Sequence, residues 1–88
     1  MKTAFTARFR KDLDKLPDPG IRSAVAEIIE AVEAAAHQTD IADLKKLKGY
    51  KTAFRIRVGD FRIGVFIMSG EVEFARVRNR KDIYKLFP

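Results

Sequence analysis

The chain contains no cysteine, which rules out a disulfide framework and a thiolate zinc site. Its one histidine, His37, cannot build an imidazole cluster alone, so no metal or other cofactor is expected. Long apolar runs are missing as well, and nothing approaches the roughly 20 residues that a membrane-spanning helix needs. The opening residues lack the continuous apolar stretch of a secretory signal because Arg8, Arg10 and Lys11 interrupt them. Together these absences predict a cytoplasmic protein with no membrane partner. Repeats, low-complexity tracts and linkers are also lacking, and 88 residues suffice for one hydrophobic core, so a single domain over residues 1–88 is expected.

What is present is a folded-protein balance of 47% hydrophobic and 34% charged residues, with an uneven distribution of charge. Residues 1–44 carry six Lys/Arg and eight Asp/Glu, whereas residues 45–88 carry twelve Lys/Arg and four Asp/Glu. The entire net charge of +6 therefore arises in the second half. Such polarity attracts polyanions, nucleic acid above all, and an acidic protein partner fits it too.

The first half has helical periodicity. Met1 to Phe5 reads as a short strand, and Thr6 is placed to cap a helix whose apolar positions are Phe9, Leu13 and Leu16. Pro17-Asp18-Pro19-Gly20 ends it, with Asp18 as the cap and Pro19 as the first residue of a second helix. Ile21, Val25, Ile28, Val32 and Ala35 form one stripe of that helix, and His37 is expected as a cation favoured by its C-terminal dipole. A further helical turn is expected from Asp40 through Leu47, ended by Gly49.

From Tyr50 the period changes to 2. Phe54, Ile56 and Val58 alternate with Arg55 and Arg57; Gly59-Asp60 then reads as a two-residue hairpin loop before Phe61, Ile63, Val65 and Ile67. This register sets Ile56 against Ile63, Phe54 against Val65 and Arg57 against Arg62. After a Ser69-Gly70 turn, a third strand over residues 71–78 aligns Val72 and Phe74 with the apolar face but would then bury Arg76. A bulge near Ala75 restores the alternation, turning Val77 inward and Arg78 and Arg80 toward Arg62. The expected fold is α+β, with an N-terminal strand and a two-helix hairpin packed on one face of a largely antiparallel sheet.

On this pattern Arg55, Arg57, Arg62, Arg78 and Arg80 share the sheet face that the helices leave open, with Lys48 and Lys51 at its margin. They are either ordinary solvent-facing strand residues or a surface held for an anion. Likewise Tyr84 either closes the core or meets a nucleotide, and Phe66 and Met68 are either a stacking platform or lie beneath Leu86-Phe87. The basic half has no histidine, and Asp60, Glu71, Glu73 and Asp82 show no close pairing for acid–base hydrolysis. RNA supplies its own nucleophile in the 2′-hydroxyl. Fixed guanidinium groups that align the strand and stabilise phosphate charge suit its cleavage.

Three stretches carry a resemblance. Leu44-Lys45-Lys46-Leu47-Lys48-Gly49-Tyr50, then Phe54-Arg55-Ile56-Arg57-Val58-Gly59-Asp60-Phe61-Arg62-Ile63, then Val77-Arg78-Asn79-Arg80-Lys81-Asp82-Ile83-Tyr84 together resemble the RelE branch of the RelE/ParE toxins. The resemblance covers essentially the whole chain and implies a small barnase-like α+β toxin fold that cleaves mRNA in the ribosomal A site. It implies as partners the ribosome and mRNA, and a cognate antitoxin that wraps the toxin, with operator DNA reached only through that antitoxin.

By the same resemblance Arg57, Arg62, Arg80 and Tyr84 form the expected catalytic set, with Arg62 and Arg80 handling phosphate. Lys45, Lys46, Lys48, Lys51, Arg55 and Arg78 are the expected RNA-binding set. The family's closing motif commonly reads Gly-His-Arg, whereas here it is Arg78-Asn79-Arg80. A histidine-dependent step is thereby removed and weaker catalysis implied, since arginine holds its proton too tightly to donate it. Two other readings stand beside the ribonuclease: a ParE-like inhibitor of DNA gyrase acting by protein binding, and a relic that keeps only antitoxin binding.

Overall fold

Thr6 ends one element and begins the next. In the computed structural model, which describes residues 1–88, β1 spans Lys2–Phe5 and α1 spans Ala7–Asp14. Thr6 keeps an extended backbone between them, and its hydroxyl accepts the Phe9 N–H at 3.0 Å while donating to the Ala75 carbonyl at 2.8 Å. Such a cap contributes about 1 kcal/mol to the helix. Asp18 begins α2 (Pro19–Ala34) in the same way, its carboxylate accepting the Gly20 N–H at 2.8 Å with Pro19 in the first turn. The α2 helix ends before His37, which lies exposed beyond the last turn, so the expected dipole contact is not made. The Met1 nitrogen instead donates to the Val32, Glu33 and Ala35 carbonyls at that end.

The helical turn expected over residues 40–47 is replaced by two other elements: a 3-10 turn at Gln38–Asp40, then strand β2 at Leu44–Lys46. Asp43 takes a left-handed backbone conformation (φ 59°) that turns the chain onto the free edge of β3 (Ala53–Val58), where Leu44 pairs with Ile56. The modest helix preference of Leu and Lys is overruled by an edge whose backbone groups need partners.

The rest of the sheet follows the sequence pattern. β3 pairs antiparallel with β4 (Phe61–Met68) in the expected register, with Ile56 opposite Ile63 and Arg57 opposite Arg62, and Gly59 supplies the positive φ of the tight turn. β5 (Glu71–Asn79) pairs with β4 and parallel with β1, giving the strand order β1-β5-β4-β3-β2. The register shifts between Gly64, opposite Arg76, and Val65, opposite Phe74, so Ala75 is the extra residue of a bulge. As alternation required, Val77 is fully buried and Arg78 lies beside Arg62.

One core lies between the sheet and the two N-terminal helices, where Phe9, Val25 and Val32 meet Ile56, Ile63, Val65, Phe74 and Val77. Phe5, Phe9 and Phe74 form an aromatic trio with centroids 5.3 to 5.9 Å apart. The opposite face, where Phe66 and Met68 are expected either to form a platform or to lie beneath Leu86-Phe87, is partly covered by a short helix α3 (Ile83–Leu86). Ile83 and Phe87 are buried there with Ala53 and Ala75, and the Phe87 ring lies 5.0 Å from Phe66. Phe66 is thus covered, whereas Met68 is exposed. The covering depends on Gly64, because a Cβ at that position would fall 2.6 Å from the Phe87 ring.

A carboxylate from α1 holds the bulge. Where β1 ends, the edge of β5 loses its neighbour, and Asp12 replaces it by accepting the Val77 N–H at 3.1 Å. The same carboxylate takes the Arg76 guanidinium in two hydrogen bonds, at 2.7 and 3.2 Å, and lies 4.0 Å from Arg78. Both members of the Asp12–Arg76 pair are largely buried.

Two stability measurements check this account. Gly64→Ala is expected to lower unfolding free energy by about 1–3 kcal/mol in urea titrations. The same change made on Phe87→Ala should cost almost nothing more, and an equal cost in both backgrounds would reject the proposed clash. Asp12→Ala is expected to cost about 3–5 kcal/mol because Arg76 is left buried without its partner. The double variant Asp12→Ala/Arg76→Ala should lose less than the two single changes together.

Candidate nucleic-acid interface

The hairpin and the bulge combine to set three arginines side by side. Arg57 on β3 is opposite Arg62 on β4, which is opposite Arg78 on β5, a row of like charges on directly paired positions. Such neighbours lie roughly 5 Å apart at Cβ and destabilise the ladder unless something takes up the charge. Each guanidinium has a different acceptor. Arg57 reaches the Asp43 carboxylate at 3.5 Å, both side chains being more than half exposed. Arg62 folds back over its own turn, donating from one nitrogen to the carbonyls of Gly59 and Phe61, each at 2.8 Å. Arg78 leans toward Asp12 at 4.0 Å.

Arg80 follows two residues beyond this row. Its backbone N–H donates to the Asp60 carbonyl at 2.8 Å, fixing the residue beside the β3–β4 turn over which Arg62 folds, and its side chain is exposed. Asn79 shapes this corner: its side-chain oxygen accepts the Lys81 N–H at 3.0 Å, and its carbonyl accepts the Asp82 N–H at 2.9 Å.

Tyr84 occupies a neighbouring part of the surface. It is 58% exposed on α3, so it does not close the core; Ile83 and Phe87 on either side of it do that. Tyr84 shares a shallow hollow with Arg55 and with Lys45, Lys46 and Lys48 from the β2 segment. Lys45 pairs with Arg55 and lies on the arginine face. Lys46 pairs with Phe54 and so alternates toward the other face, at the sheet margin. Lys51 lies in the loop after β2, away from Tyr84, with Lys48 and Tyr50.

The structure therefore gathers Arg57, Arg62 and Arg78 in one row with Arg80 at its end, and gathers Arg55, Lys45, Lys48 and Tyr84 in the hollow beside it. Lys46 and Lys51 are marginal. Three contributors escaped the sequence reading. Asp12 and Arg76, which fix the bulge, are 64 residues apart. Asp43, which holds Arg57 and accepts Arg55 through its carbonyl at 3.4 Å, lay inside a predicted helix. Asp12 is one of two acids among the basic residues of the first helix, and nothing local separates it from Asp14.

The surface is open, basic and built on paired strands, so it suits an extended polyanion better than a small enclosed substrate. The chain also matches known proteins. The family model described as "ParE toxin of type II toxin-antitoxin system, parDE" matches residues 4–84. Toxin RelE3 of Methanocaldococcus jannaschii is 42% identical over the full length of both chains. A chain in the crystal structure of the RelB–RelE antitoxin–toxin complex from Methanococcus jannaschii aligns with a TM-score of 0.81 at 40% identity, covering 97% of this chain and 99% of that one. The RelBE2 toxin–antitoxin complex from Mycobacterium tuberculosis aligns with a TM-score of 0.71 at 29% identity, over 90% of this chain and 96% of that one. With its fold, its full-length match to a RelE toxin and its family model in agreement, the chain belongs to the RelE/ParE superfamily as a RelE-family toxin of a type II toxin–antitoxin system.

Proposed function

We propose that residues 1–88 form one toxin domain that acts as a ribosome-dependent endoribonuclease, cutting mRNA in the A site without a metal. The observation that carries this reading is the row of Arg57, Arg62 and Arg78 with Arg80 at its end. Such an array matches the negative charge that accumulates on the phosphate oxygens during cleavage. In that reaction the RNA 2′-oxygen bonds to the adjacent phosphorus and loses its proton. The bond to the 5′-oxygen breaks as that oxygen gains a proton, leaving a cyclic phosphate and a free 5′-hydroxyl. Arg62 and Arg80 hold the phosphate, Arg57 binds the developing charge, and Arg55 and Arg78 position the strand. Tyr84 either stacks on a base or carries a proton, and its hollow supplies Lys45 and Arg55 to assist.

The openness of the surface supports dependence on the ribosome. An arginine row on an open sheet face offers little to bend RNA into line for attack, so on this reading the alignment comes from the body that already holds the message. The absence of histidine from the basic half points the same way, since it leaves proton transfer weak. The similar RelB–RelE complex supports a cognate antitoxin as partner; on this reading operator DNA is contacted only through that antitoxin. On this reading the protein acts in the cytoplasm.

Primer extension on translated messages is expected to show new cuts when the chain is expressed. Arg62→Ala with Arg80→Ala should reduce them by at least about 10²–10³-fold, the loss expected from one charge-stabilising donor, while circular dichroism reports an intact fold. A gyrase supercoiling assay run alongside should show no inhibition. Undiminished cuts in the double variant would remove the arginine mechanism. Inhibited supercoiling without cuts would instead identify the gyrase-directed activity to which the ParE name of the matching model points.

A further inference from the structure

β2 and the loop joining it to β3 extend the basic surface beyond the Tyr84 hollow. Lys45, Lys46, Lys48 and Lys51 fall between residues 44 and 52 with no acid among them. None is paired with a carboxylate, since the three ion pairs of the molecule all involve arginines. At the tip of this loop Tyr50 is 51% exposed. All four close ring pairs in the molecule are between phenylalanines, so Tyr50 stacks on nothing within the chain. Tyr50 sits on a defined turn: its backbone N–H donates to the Leu47 carbonyl at 3.2 Å, and the Leu47 N–H donates to the Ala53 carbonyl at 2.9 Å. Gly49 provides the positive φ of that turn and has open space around it.

We infer that Tyr50 stacks on an unpaired RNA base while Lys48 and Lys51 bind the flanking phosphates. This contact is separate from the arginine row. Lysines alone would attract any polyanion, including an acidic peptide; the exposed ring adds a flat surface that a base uses and a carboxylate does not. Lys48 borders both this hollow and the one that holds Tyr84 and Arg55, so a strand leaving the arginine row passes Tyr84 before it reaches Tyr50. From Arg57 to Ala53 the path along β3 is roughly 13 Å, which places Tyr50 at a different nucleotide from the one being cut. The choice of RNA as ligand rests on the reading proposed above; the binding itself does not require cleavage.

The chain has two tyrosines and no tryptophan, so in Tyr84→Phe protein all tyrosine emission comes from Tyr50. Titrating that protein with a short oligoadenylate is expected to quench the emission, whereas an abasic strand of equal length should leave it unchanged. Tyr50→Ala should weaken oligoadenylate binding about tenfold without altering its salt dependence, and Tyr50→Phe should retain parental affinity. Lys48→Ala with Lys51→Ala should instead flatten the salt slope by about 1.4. Emission that is constant at saturation, or Tyr50→Ala binding as tightly as the parent, would overturn the inference. Intact RNA binding with weakened antitoxin binding would also overturn it and assign the loop to a protein. Cleavage of translated mRNA measured in parallel tests the arginine row on its own, so the two readings fail separately.

Discussion

Between Phe5 and Val77 the edge of the sheet changes partner. β1 pairs with β5 only as far as Phe74, and beyond it the backbone of β5 needs another acceptor. Asp12 supplies one and simultaneously neutralises Arg76, so the bulge at Ala75 is tied to α1 through buried groups. The consequence extends across the sheet. Without the extra residue Val77 would face solvent and Arg78 would point into the core, and the row with Arg57 and Arg62 would lose its third member. A carboxylate in the acidic half of the chain therefore decides the arrangement of the basic half.

That row is electrostatically unfavourable in the free protein, and the acceptors it has found are weak ones. Arg57 shares an exposed ion pair of the kind that contributes little in water. Arg62 is held by two neutral carbonyls, and Arg78 is only near the carboxylate that Arg76 engages closely. On the proposed function a phosphate group would give Arg62 a charged acceptor in place of neutral carbonyls, and charge-assisted bonds are roughly twice as strong as neutral ones. Binding of RNA would thus relieve repulsion that folding left in place. The only strong ion pair in the region, Asp12–Arg76, is the buried one with a structural task.

Much of this was legible in the sequence because local rules sufficed. The Gly59-Asp60 loop and strict alternation fixed the β3–β4 register, and parity alone located the bulge at Ala75. Thr6 and Asp18 announced both helix starts. What escaped depends on contacts that no short window contains. β2 exists because β3 has a free edge, and its residues carry no strand pattern of their own. A four-residue α3 is too short to show a period, and only its docking against Gly64 and Ala75 holds it. Asp12 and Asp43 read as unremarkable acids until the fold carried arginines to them.

The docking of α3 also bears on how the candidate site is divided. Gly64 lies between Arg62 and Phe66 on β4, and its missing side chain lets Phe87 press against the sheet just past the arginine row. With Ile83 and Phe87 buried on one side of the short helix, Tyr84 is left facing outward, beside Arg55 and the lysines of β2. Arg57, Arg62 and Arg78 thus stand on rigid, paired strands, whereas Tyr84 stands on an element held by two buried side chains. Precision of charge placement follows from the first, and the second leaves Tyr84 exposed where the proposed function needs an aromatic ring, without disturbing the ladder beneath it. The surface therefore depends on three segments distant in sequence: a carboxylate near residue 12, a hairpin near residue 60 and a hydrophobic plug near residue 87.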